Sequence, residues 1–117
     1  DQIGCPTYAQ DIAKVIVIIM SQLDLKAFNS GIFHYCGDKS CSWYDFAKII
    51  LNKAKRMDLI KKTASINSIE TKEYVTRAIR PKYSVLNCSK IQSIYGISPS
   101  NWHEGIDSCL DSLFYDS

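Results

Sequence analysis

The 117-residue sequence has no Cys-x-x-Cys pair, no glycine-rich phosphate loop and no apolar run long enough to cross a bilayer. Each absence removes a class of function. The five cysteines, Cys5, Cys36, Cys41, Cys88 and Cys109, are an odd count. That argues against a secreted disulfide framework and for free thiols in a reducing cytoplasm. Neither His34 nor His103 has a cysteine or histidine at metal-ligand spacing, so no zinc or other metal is expected. The apolar run over 15–20 falls far short of the roughly 20 residues a membrane span needs, and no signal-peptide pattern opens the chain. A soluble, cytoplasmic protein without membrane contact is expected. The net charge of +2 is too small to point to nucleic acid. Lys53, Lys55, Arg56, Lys61 and Lys62 cluster as the solvated end of a helix would.

What is present is ordinary globular composition, 46% hydrophobic and 22% charged, at a length that fits one domain. The chain opens on Asp-Gln-Ile-Gly-Cys-Pro-Thr. Gly4 and Pro6 break regular structure there, and Thr7 with Gln10 has capping-box spacing. A helix is expected over 8–23, because Ile12, Val15, Ile16, Ile19, Met20 and Leu23 follow the helical period. Val17 and Ile18 add apolar surface on the other side, so more than one face of this helix is expected to be covered. A polar loop at the very start, with no strand before it, predicts a piece of a longer chain.

Residues 31–36 alternate, carry aromatics and stop at Gly37-Asp38, the pattern of a strand and turn. Ser42, with Asp45 three positions on, caps a second helix ending near Met57, with Trp43, Phe46, Ala47, Ile50, Leu51 and Ala54 as its stripe. A short strand is expected over 65–69. Pro81 disfavours helix at Arg80, so 77–84 reads as a loop. Asn87 caps a short third helix closed by Gly96. Pro99 opens the last helix, with Trp102, Ile106, Cys109, Leu110, Leu113 and Phe114 along one stripe. The expected fold is a compact α/β unit of four helices and two or three short strands.

Four segments carry a resemblance: DQIGCPTYAQDIA at 1–13, GIFHYCGDKSCSWYDFAKII at 31–50, RAIRPKYSVLNCSKI at 77–91 and NWHEGIDSCL at 101–110. In this order and spacing they resemble the C-terminal half of the dTDP-4-dehydrorhamnose reductases, extended short-chain dehydrogenase/reductases. The resemblance covers nearly the whole chain. It implies that residues 1–117 form a small substrate-binding domain whose partners are a dTDP-sugar and an N-terminal Rossmann domain. It also leaves room for a homodimer. The parent activity it implies is reduction of the C4 keto group of a dTDP-activated 6-deoxy sugar by NADPH or NADH. That nucleotide would sit in the Rossmann domain, beside a Tyr-x-x-x-Lys pair.

This chain departs from the family at the chemistry. No glycine-rich turn occurs among its five glycines. Tyr44 and Lys48 have the Tyr-x-x-x-Lys spacing, but they fall where the family has its S-W-x-x-F-A helix, and so read as helical neighbours. The chain alone is therefore expected to be inactive, without catalytic or cofactor-binding residues. An alternative is a non-catalytic regulatory or interaction subunit of the same reductase-like family.

Candidate substrate-binding residues are Gln2, Arg80 and Ser84. Gln2 lies in a loop the family places near the interdomain cleft, although Gly4, Pro6 and Thr7 also serve to fix a turn. Arg80 could grip a diphosphate bidentately, or pair with a carboxylate such as Glu73; Arg77 is a second candidate. Ser84 could bond a ligand oxygen or stabilise its own turn. Trp43 and Trp102 start helices on apolar stripes and read as core, with base or sugar stacking as the rival role. His34 reads as a core or edge residue. Glu104, Asp107 and Asp111 on the last helix make no clear metal-ligand set.

Overall fold

The structure is a computed structural model that describes residues 1–23, 30–62 and 64–115, with the side chains of Phe114 and Tyr115 outside the described set. The described residues form four α-helices and one two-stranded sheet, an α/β arrangement. In chain order the elements are β1 (Ile3–Gly4), α1 (Ala9–Gln22), β2 (Cys41–Ser42), α2 (Trp43–Arg56), a 3-10 turn (Thr71–Glu73), α3 (Ser89–Tyr95) and α4 (Trp102–Tyr115). The strands are antiparallel, with Ile3 opposite Ser42 and Gly4 opposite Cys41.

Both expected strands are absent as ladders. Residues 31–36 do alternate, with Phe33 and Tyr35 packed inward and Ile32 and His34 exposed. Among the described residues their ladder contact is limited to the parallel bridge just past their end, Gly37 to Ser100, closed by Ser100 N donating to Cys36 O at 3.1 Å and Asp38 N to Ser100 O at 2.8 Å. A side-chain pattern marks which way residues face, but a strand also needs a backbone partner of matching length. Residues 65–69 are likewise irregular. The sheet forms instead where the opening loop meets the residues just before α2.

Caps also differ from expectation at three of the four helices. The N-cap of α1 is Tyr8, without a side-chain cap of its own. Thr7 faces away: its hydroxyl donates to Cys5 O at 3.1 Å and accepts from Gly37 N at 3.1 Å. The capping hydroxyl is that of Ser100, which accepts from Tyr8 N at 3.3 Å and donates to Asp11 Oδ2 at 2.7 Å. Pro99 does not open α4, which starts at Trp102 after Asn101, whose side chain bonds Glu104 at both ends. At α3 the N-cap is Cys88, without a side-chain cap, so Asn87 stands one residue before the position expected of it. Ser42 Oγ accepts from Asp45 N at 3.0 Å, Asn87 Oδ1 accepts from Ser89 N at 2.8 Å, and Gly96 closes α3 with φ of 68°.

Two small cores hold the chain. One joins Val15, Cys36, Cys88, Ile91 and Ile97, beneath α1 and α3. The other joins Ala54 of α2 to Trp102, Ile106 and Leu110 of α4, with Phe46, Ile49 and Ile50 packed against it. The chain is flat, 57 × 39 × 22 Å. In that shape α1 is not covered on more than one face: Val15 is buried, while Ile16, Val17 and Met20 are each more than half exposed. Cys109 and Leu113 are also exposed, so the inner stripe of α4 is narrower than its apolar content. Among the described residues no helix is long and apolar enough to cross a membrane.

Candidate functional site: a cleft beside the two-stranded ribbon

Pairing Ile3 with Ser42 sets the start of the chain beside the first turn of α2. The ribbon continues on its far side through Ile3 N donating to Lys82 O at 2.8 Å and Ser84 N to Ile3 O at 2.9 Å. Three remote segments therefore meet at Ile3. Asp1 and Gln2 extend from this junction to the 3-10 turn. Asp1 Oδ1 accepts from Thr71 N at 2.9 Å and from its hydroxyl at 2.5 Å, while Gln2 Nε2 donates to Thr71 Oγ1 at 3.2 Å.

The result is a cleft of about 510 Å³. It is lined by Trp43, Tyr44 and Ala47 of α2, by residues 66–71, and by Gln2 and Arg80. Gln2 and Arg80, far apart in sequence, are thus brought together. Ser84 is not with them. It lines a neighbouring cavity of about 310 Å³ with Gly4, Thr7, Cys41 and Phe46, and its hydroxyl is bonded to Ile3 O at 3.3 Å, the turn-stabilising role. Trp43 lines both cavities and forms the partition between them.

The electrostatics of the cleft centre on Arg80. Glu73, its expected partner, instead accepts from Glu70 N at 2.6 Å and caps the 3-10 turn. None of the ion pairs among the described residues involves Arg80, so its guanidinium is available to an anion. Arg77 is exposed on the same loop but lines neither cavity. In the smaller cavity burial pushes the thiols of Cys5 and Cys41 above their ordinary value, and the Asp45 carboxylate raises Cys41 further.

Trp102 is core as expected, 2% exposed, with its indole N–H donating to Lys39 O at 2.9 Å. Trp43 is not: it is 64% exposed. It sits three residues before Phe46 on the same face, but one turn beyond the end of the α2–α4 core. His34 is exposed and touches neither cavity. Lys48 Nζ lies 5.0 Å above the Tyr44 ring, the helical-neighbour contact expected of that pair. Tyr35 and Lys39 have the same spacing, but they straddle the Gly37 turn and share no helix face. On α4, Asp107 is held by Lys53 and Glu104 by Asn101.

Gly37, Gly96 and Gly105 do not form a nucleotide cradle. A Cβ on Gly37 would strike the Pro6 carbonyl, one on Gly105 the Tyr8 side chain at 2.7 Å, and Gly96 closes a helix. None opens a helix N-terminus to a diphosphate.

A family model described as the RmlD substrate binding domain matches residues 1–114. The chain belongs to that family. As an RmlD substrate binding domain it is 39% identical over 107 residues to a dTDP-4-dehydrorhamnose reductase of Aggregatibacter actinomycetemcomitans, covering 91% of this chain and 36% of that protein. It is 35% identical over 110 residues to the spore coat polysaccharide biosynthesis protein SpsK of Bacillus subtilis, covering 94% and 34%. Among solved structures, a dTDP-4-dehydrorhamnose reductase of Clostridium acetobutylicum superposes with a TM-score of 0.78 at 33% identity, over 97% of this chain and 36% of that one. A Bacillus anthracis reductase in complex with NADP gives 0.75 at 28%, over 99% and 36%. The RmlD substrate binding domain thus spans about a third of the length of these relatives.

Proposed function

We propose that this chain is the sugar-nucleotide-binding part of a dTDP-4-dehydrorhamnose reductase. The parent oxidoreductase reduces dTDP-4-dehydro-6-deoxy-L-mannose to dTDP-L-rhamnose with NADPH or NADH, in the cytoplasm, for surface polysaccharide. The observation that carries this reading is the convergence of Gln2, Trp43, Thr71 and an unpaired Arg80 on one cleft. Arg80 takes the diphosphate, where a guanidinium can donate two parallel hydrogen bonds. Gln2 keeps its carbonyl oxygen for a sugar hydroxyl while its amide nitrogen is held by Thr71. Ser84, in the neighbouring cavity, holds the Ile3 junction from which Gln2 extends.

The nicotinamide nucleotide, which supplies the hydride, belongs to a Rossmann domain outside this chain, because these glycines offer it no cradle. The contribution of this chain is positioning, and in a reaction of this kind orientation can lower the barrier by several kcal/mol. The names of the relatives support the reductase over a regulatory subunit.

Calorimetric titration with dTDP-L-rhamnose tests the reading. Saturable binding, weakened at least tenfold by Arg80→Ala, is expected; no binding up to about 10 mM, weaker than a free energy of about −3 kcal/mol, overturns it. The chain alone, supplied with NADPH and the keto sugar, is expected to give no turnover.

A further inference from the structure

We propose that Trp43 is the stacking platform for the pyrimidine base of the nucleotide sugar, and that residues 66–69 read the edge of that base. The inference rests on the nucleotide-sugar reading above and adds the group that selects the base. An indole that is 64% exposed leaves a large apolar face in water at the wall of a cleft. Its orientation is fixed from behind: Phe46 meets it edge-on at 6.2 Å and 70°, and Phe46 in turn meets buried Trp102 at 5.6 Å and 74°. The platform is therefore preorganised by the core, so little side-chain freedom is lost when a ring lies on it.

Residues 66–69 line the same cleft, and no hydrogen bond among the described residues uses their backbone N–H or C=O groups. A thymine or uracil imide presents acceptor, donor and acceptor in a row along one edge. A free backbone segment offers the complementary donors and acceptors. Arg80 lines the same cleft, so one ligand can offer its diphosphate to the guanidinium and its base to Trp43. An aromatic face accepts any base, so the stack supplies affinity and the imide edge supplies choice.

The test measures binding of dTDP, dCDP and methyl diphosphate to the wild type, Trp43→Leu and Trp43→Phe by calorimetry, with indole fluorescence as a second readout. Near-UV circular dichroism of Trp102 checks that the variants fold. Trp43→Leu is expected to weaken dTDP by about 5- to 150-fold while leaving methyl diphosphate unchanged. Trp43→Phe restores most of the dTDP affinity, and wild-type fluorescence is quenched on saturation with dTDP. The wild type binds dTDP more tightly than dCDP, whose edge lacks the imide donor. Equal dTDP affinity in Trp43→Leu and wild type overturns the stack while leaving the nucleotide-sugar reading intact. Equal dTDP and dCDP affinity overturns the edge readout. Failure of dTDP to bind the wild type overturns the reading itself, and the stack with it.

Discussion

The hydroxyl of Ser100 donates to Asp11 across 2.7 Å and accepts from the N–H of Tyr8, so α1 is capped by a residue from just before α4. Ser100 is 2% exposed and also bridges Gly37 through its backbone. One serine thus joins the opening loop, the aromatic segment 31–36 and the last helix. Ser100→Ala would leave a helix N–H and a carboxylate without their partner in a dry site. The expected cost is about 1–2 kcal/mol, read as a lower urea midpoint with an unchanged slope.

Gly37 and Gly96 separate two reasons for glycine. At Gly37 a methyl group would strike the Pro6 carbonyl and approach Trp102 Cδ1 at 2.7 Å, both held by the fold. At Gly96 there is open space, and only the φ of 68° is unfavourable to another residue. Gly96→Ala should cost about 1 kcal/mol. Gly37→Ala should cost about 3 kcal/mol or more, because overpacking at a rigid site forces backbone movement. Thermal unfolding of the two variants checks the order, and equal losses would contradict this account of the Gly37 turn.

The thiols should respond to pH in one direction. Burial pushes Cys5, Cys41 and Cys88 above their ordinary 9.0, while the unfolded chain ionises near that value. Below pH 9.0 both states hold the protons and stability is complete. As pH rises past it the unfolded state loses protons first, so stability falls. Tyr35, raised by burial and then by the charge of Asp11, adds to the decline above 10.0. Urea midpoints under reducing conditions should be flat near pH 7 and drop toward pH 10.

Thiol accessibility gives a separate check on the packing. Cys109 is exposed and Cys36 and Cys88 are buried, with their sulfurs 3.6 Å apart. Titration with an aromatic disulfide reagent should modify Cys109 first. Cys36 and Cys88 should react only at the rate of unfolding, and rapid labelling of either would show that the first core is open.

Arg80→Lys keeps the charge but loses the planar fork. If Arg80 holds a diphosphate bidentately, the lysine variant should bind dTDP about 10-fold more weakly, the effect of about one charge-assisted hydrogen bond. Affinity equal to wild type would reduce Arg80 to a point charge.

Much of this was legible from local rules. The helical stripes placed α1, α2 and α4 to within a few residues, and Ser42 and Gly96 carried their own start and stop signals. These features depend on neighbours within about one turn, which a sequence displays directly. Gln2 and Arg80 were picked out by residue type and resemblance, and the fold brings both to one cleft.

What failed had a remote partner. The alternating run 31–36 needed a strand opposite it and met only Ser100, while Ile3 and Gly4 found Cys41 and Ser42, some forty residues away. Thr7 had the spacing of a cap, yet its hydroxyl is taken by Cys5 and Gly37 and the cap falls to Ser100. Trp43 and Trp102 look alike in sequence, each opening a helix on an apolar stripe. Trp102 is buried because it packs with Ala54 and Phe46 of α2, and Trp43 is exposed because it lies one turn before Phe46, outside that cluster. The sequence by itself determined the helices, most of their ends and the family of the chain, since those follow from short-range periodicity and motif order. Tertiary structure alone decided which apolar side chains face water, because burial depends on the partner surface that packing brings to each one.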